Sequence, residues 1–188
     1  MNLVFRKLKR KDVYQFSKWG KHEDPRFFQY NFPYEDAPEF DAWYFSKQHL
    51  LFKKVYGLFL DDYPLGFITL KQIRWLKRTA ELGIAIDPNH LSEGFGAELL
   101  TQFLTYVFSR YPITKMTLRV AHFNVRAQKS YSKVGFHVVE DLLEPFEEQG
   151  FKDEIMARYP SQFQVVEGIL YTLFFRMEIR KEDFFGTR

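Results

Sequence analysis

The sequence predicts a mixed α/β (α+β) domain, a mostly antiparallel central sheet flanked by helices. Three observations predict it. Two short alternating runs, 54–60 and 64–70, flank Asp61-Asp62-Tyr63 and read as a hairpin. After Gly96 the apolar period changes from two to three and four, which marks a long amphipathic helix. Residues 81–140 then run strand, helix, strand, helix, strand, giving βαβ units whose crossovers are right-handed. The 188 residues suit one domain, 1–188, with a substantial core.

Taken in order, residues 2–8 form a plausible edge strand, and a short helix over 12–18 puts Val13 and Phe16 on one side before Gly20 ends it. Residues 19–34 hold six aromatic rings without periodicity; they either pack the loop onto the domain or line a cleft. A second helix starts at Asp36 or Ala37, with Pro38 in its first turn and Phe40, Trp43, Tyr44 and Lys47 at spacings of three and four. The hairpin follows, then a basic connection, 74–78, and a strand from Glu81. Phe95, Leu99, Leu100, Phe103, Leu104, Val107 and Phe108 define the long helix, which ends near Pro112. Residues 115–121 alternate as a strand. Asn124 caps a helix that ends at Gly135, a natural left-handed stop. Residues 136–140 form a strand, 142–167 helical turns with loops, and 168–179 the last strand.

Composition limits the functions. A formal charge of +3, with no dense Lys/Arg block, argues against a nucleic-acid partner and fits an acidic small ligand. No run approaches eighteen apolar residues, and the N-terminus shows no export signal, so a soluble cytoplasmic protein with no membrane partner is expected. The absence of cysteine excludes disulfides, thiol catalysis and Cys-ligated zinc. The His, Asp and Glu spacings suggest no metal, and no serine sits in a nucleophile elbow. Aromatic residues make up 19%, which fills a core or a cleft and is compatible with a homodimer.

The stretch from Glu81 to Gly96 carries the functional reading. Leu82, Ile84 and Ile86 alternate with Gly83 and Ala85, so one strand face is bulky and the other lets something lie close. Asp87-Pro88-Asn89 stops the strand. Gly94 and Gly96 then expose backbone N–H groups at a helix start, where anions and phosphates are attracted.

Glu81-Leu82-Gly83-x-x-Ile86-Asp87-Pro88, Gly94-x-Gly96-Ala97 and Asn124-x-x-Ala127-x-x-x-Tyr131-x-Lys133-x-Gly135-Phe136 together resemble the GNAT superfamily of N-acetyltransferases, in particular the branch that acetylates ribosomal-protein N-termini and polyamines. The resemblance covers residues 1–140 in element order and is specific between 81 and 136. It implies a GNAT-like sheet and acetyl-CoA as the acetyl donor, its pantetheine paired with the backbone of Ile84, Ala85 and Ile86. It puts the pyrophosphate on amides of Leu91, Ser92, Glu93, Gly94, Phe95, Gly96 and Ala97. Asn124 and Ala127 then hold the pantetheine arm, and Tyr131 protonates the leaving thiolate. The acceptor is a primary amine of a peptide terminus, a polyamine or another small molecule.

The chain departs from the family at Leu91, where Gln or Arg is usual, and at Ser92 and Glu93, where Gly and a basic or small residue are usual. Glu93 turned inward would oppose a pyrophosphate; turned outward, it simply favours the helix dipole. Without the resemblance, Tyr131 is a core ring and Asn124 a cap. Glu81, His122 and Glu35 are candidates for the base that accepts the amine proton, with water as the alternative. Two readings stand: an acetyl-CoA-dependent N-acetyltransferase, or a catalytically silent acyl-CoA-binding or scaffold protein of the same fold.

Overall fold

The computed structural model describes residues 2–34, 36–47 and 51–186. Among the described residues eight strands form one sheet: β1 (Leu3–Lys7), β2 (Lys54–Leu60), β3 (Tyr63–Arg74), β4 (Thr79–Ile86), β5 (Lys115–Ala121), β6 (His137–Pro145), β7 (Phe163–Val166) and β8 (Ile169–Arg180). Their order is β1-β2-β3-β4-β5-β8-β6, with β7 pairing the start of β8. Every paired couple is antiparallel except β4–β5. That parallel register covers only Thr79↔Lys115, Ala80↔Met116 and Glu81↔Thr117. Beyond it the two strands part, and the sheet opens into a wedge.

The alternation seen in the sequence decides which face each helix covers. Leu99, Phe103 and Val107 of α3 (Phe95–Arg110) pack with Leu58, Ile68, Leu82 and Met116, and Tyr131 and Val134 of α4 (Val125–Val134) join the same core. On the opposite face, Val13 of α1 (Arg10–Val13), Phe16, Trp19 and Phe40 of α2 (Ala37–Ser46) pack on Val55 and Phe59. A third cluster joins Phe146 and Phe163 to Ile155 of α5 (Lys152–Arg158) and to Leu170 and Phe174 of β8.

Several boundaries differ from expectation for physical reasons. The helix expected over 12–18 is α1 followed by a 3₁₀ segment, Tyr14–Lys18. Val13, Phe16 and Trp19 are all buried at a spacing of three, the period of the tighter helix. The connection 142–167 contains α5 and β7 rather than loose turns. Glu167 (φ 50°) and Gly168 (φ 80°) make a two-residue hairpin turn between β7 and β8, a pattern the sequence carried as Glu-Gly. A short α6 (Lys181–Gly186) follows β8 and buries Phe184.

Candidate active site

Beyond Glu81 the edge of β4 that faces β5 has no strand partner among the described residues, so its N–H and C=O groups open into the wedge. Asp87 ends the strand. Fully buried, it accepts from the Gly20 amide (2.9 Å), the Asn89 amide (3.0 Å) and the Tyr63 hydroxyl. One carboxylate thus ties the N-terminal loop to the strand end.

After a single turn at Pro88–His90 the chain enters the left-handed region at Ser92 (φ 69°) and Gly94 (φ 87°), and Gly94 caps α3. Left-handed residues in such a loop turn successive amides to one side, making a concavity for an anion at the helix start. A Cβ on Gly94 would meet nothing within 4 Å, so this glycine is required by its φ and not by crowding. A Cβ on Gly96 would lie 3.3 Å from Ile86 Cδ1. That closeness seats α3 against the strand.

A cavity lies between β4, this loop and α4. Ile84, Ala85 and Ile86 line one wall, Leu91, Ser92, Gly94, Phe95 and Gly96 the loop end, and Asn124, Ala127 and Tyr131 the helix wall. Glu93 and Ala97 are not on its surface. The Glu93 carboxylate points to His90 (3.2 Å), with 45% of its side chain exposed, and Ala97 packs against the core beneath α3. His90 itself lies on the cavity wall, so the charge sits at the rim of the loop end.

Tyr131 is 9% exposed, and its hydroxyl bonds to no described residue. Burial pushes its phenol well above the usual tyrosine range, and Tyr30 pushes it further, against the opposing charge of Arg126. The group is therefore a protonated donor on the cavity wall. Asn124 accepts from the Ala127 amide at 3.2 Å and so caps α4 while bordering the cavity.

Sequence reasoning missed part of the lining. His22, Phe27 and Tyr30 reach the cavity from the segment 20–30, which contains a 3₁₀ stretch, Pro25–Tyr30. The rings of 19–34 are cleft candidates from the sequence, whereas His22 carries no signal there. Asn31 holds the His22 backbone through two bonds, of 2.7 and 3.2 Å, and the imidazole stacks on Phe27. Arg126 and Ser130 also line the cavity, within the motif that supplied Asn124 and Tyr131.

The candidate bases fall in different places. Glu81 is the last paired residue, at the apex of the wedge, on the face away from α3. Its carboxylate is 2.9 Å from Lys71 and 3.9 Å from Arg119. Arg119 also pairs with Glu144 and lies 3.5 Å from Glu147, with Phe174 beneath it. His122 turns away toward β6, bonded to Asp141 (3.1 Å) and stacked on Phe175. Glu35 lies outside the described residues. Among the described residues no group of three or more His, Asp or Glu could hold a metal ion, and no helix is long and apolar enough to cross a membrane.

The sequence pattern of the acetyltransferase (GNAT) domain matches residues 2–137. A spermidine N(1)-acetyltransferase of Vibrio cholerae serotype O1 is 26% identical over 160 residues, covering 84% of this chain and 91% of its own length. The crystal structure of spermidine N-acetyltransferase from Vibrio cholerae in complex with CoA and spermine superposes with a TM-score of 0.73 at 24% identity, over 97% of this chain and 98% of its own. A dodecameric structure of the Vibrio cholerae enzyme gives 0.69 at 23% identity, covering 98% and 97%. The parted β4–β5 pair, the glycine loop opening α3 and the pattern match lead to one assignment: the chain belongs to the GNAT acetyltransferase family and is an acetyl-CoA-dependent N-acetyltransferase.

Proposed function

We propose that the acceptor is a primary amine of a polyamine, acetylated by direct attack while both substrates are bound. The observation that carries this reading is the acidic face at the apex of the wedge. Glu81, Glu144 and Glu147 gather there around Arg119, with Lys71 on Glu81, so three carboxylates outnumber two cations beside a cavity that holds a protonated Tyr131. Carboxylates at close range favour a cationic acceptor. The polyamine names of the relatives agree with this chemistry.

The acetyl donor runs along the open edge of β4, with its pyrophosphate on the amides of 91–96. The acceptor arrives as an ammonium and must lose a proton before it attacks. Glu81, directly or through a water, takes that proton in our reading. The free amine adds to the thioester carbonyl, a C–N bond forms, and the tetrahedral intermediate expels the CoA thiolate. Tyr131 gives its proton to that sulfur and recovers one from the acylated nitrogen, which sheds its second proton as it becomes the amide. Positioning supplies most of the rate, since the thioester is already activated. The step calls for no metal.

The same reading has the enzyme working in the cytoplasm as a homodimer or larger homo-oligomer. β6 forms an edge of the sheet, and Val138, Val139 and Leu143 on it are exposed, which supports self-association through that strand. To test the acceptor, purified enzyme is incubated with acetyl-CoA and equal concentrations of spermidine, spermine, diamines and short peptides, and products are read by mass spectrometry. Acetylated polyamine at a kcat/KM at least about tenfold above any peptide is expected. Acetylated peptide N-termini with untouched polyamines would overturn the assignment.

A further inference from the structure

A second cavity, of about 670 Å³, lies at the opposite end of the sheet from the glycine loop. It forms where three strands begin or end side by side. Thr79 opens β4, Lys115 opens β5 and Arg180 closes β8, and the registers Thr79↔Lys115 and Lys115↔Arg180 put these residues in one row on one face. With strands about 4.8 Å apart, the row spans about 10 Å. Lys77 from the preceding turn and Lys181 at the start of α6 extend it.

The charges do not balance. Lys77, Lys115, Arg180 and Lys181 line the cavity, while the nearby carboxylates are Glu178 and Glu182. Glu178 is divided between Lys115 (3.2 Å) and Arg180 (3.9 Å), and Glu182 is 3.8 Å from Arg180. Lys77 makes no ion pair among the described residues, and the Lys181 ammonium donates to the Phe108 carbonyl without neutralising its charge. Among the described residues that line the cavity, four cations meet one carboxylate, Glu182, with Glu178 behind them, so a positive excess remains in a concave site beside Thr79. A compact dianion with several acceptor oxygens matches that set. The acetyl-CoA cleft cannot be its source, because Thr79 and Ile86 stand about 23 Å apart at the two ends of β4.

We propose that this cavity binds a phosphate dianion, free or as a small phosphate monoester, held by Lys77, Lys115, Arg180 and Lys181 across the narrow end of the β4–β5 wedge. The test measures thermal stability during titration with inorganic phosphate at constant ionic strength, chloride being the exchanged anion. CoA is present at saturation so that the glycine loop is already filled. A saturable rise in Tm is expected for the unaltered protein, and Lys115→Gln with Arg180→Gln weakens binding about tenfold or more. Lys77→Gln, on an exposed turn, keeps the fold and weakens binding several-fold. A parallel titration with a simple alkyl phosphate separates the sources: tighter binding than phosphate points to an organic phosphate, weaker binding to the free ion. No saturable shift, or one that Lys77→Gln and the double variant leave unchanged, overturns the proposal.

Discussion

The two ends of β4 carry the same alternation and do different work. From Thr79 to Glu81 the strand is laddered to β5, with Ala80 and Met116 buried beneath the ladder. From Leu82 to Ile86 the side chains still alternate between the α3 core and the opposite face, but the edge toward β5 is open. Side-chain pattern is set along a strand; pairing is set by where its neighbour goes. A binding edge here arises because β5 is drawn toward β8, to which it pairs along its whole length, Lys115 to Ala121.

Substitutions at each end test that division, taken here from the largest expected effect to the smallest. At the open end, Tyr131→Phe removes the proton donor and should lower kcat by about 10²–10⁴-fold with little change in acetyl-CoA affinity. Steady-state rates and direct calorimetric binding check both parts, and unchanged turnover would remove the acid role. At the closed end, Met116→Ala should cost about 2–5 kcal/mol of stability in urea unfolding. Turnover per folded molecule should stay within about twofold of the starting value. If that variant instead loses activity while keeping its stability, the two ends are not separate.

Gly94→Val should raise the acetyl-CoA Kd about 100-fold, about 2.7 kcal/mol, because the left-handed backbone that turns the amides inward is closed to a β-branched residue. Retained affinity would put the phosphate cradle elsewhere. The smallest effect concerns His22, whose imidazole is held below its ordinary value by burial and by Arg126, against Asp24. The unfolded chain then takes up the proton first on acidification. Stability from this group is full above about pH 6.5 and is lost as the pH falls below it. Unfolding at pH 7.5 and 5.5 should show a shallower pH slope in His22→Asn than in the unaltered protein.

Much of this was legible in the sequence, and the omissions have causes. Gly94 stood out from its place at a helix start, whereas local spacing made Asn124 a cap and Tyr131 a core ring, and only the family resemblance pointed both toward a cofactor. The acidic face did not stand out, since Glu81, Arg119, Glu144 and Glu147 come from separate stretches and meet only through the sheet order. His122 closed the expected strand but turned outward, because its ring found Phe175 and Asp141 on the far side. Glu93 read as a threat to the phosphate site; it lies off the cavity surface, paired with His90 on the wall. The β7–β8 hairpin was lost in a stretch of mixed polarity, where Val165, Val166 and Ile169 are all exposed and leave no alternation to read.

Asp87 gives two segments that border the cavity a common anchor. Its oxygens hold the Gly20 amide at the root of the segment that brings His22 and Tyr30 over the cleft, and the Asn89 amide at the root of the glycine loop. The segment over the cleft and the glycine loop are thus hung from one carboxylate. Damage at Asp87→Ala should therefore appear in the KM of donor and acceptor together, a correlated defect that no substitution confined to either wall would produce.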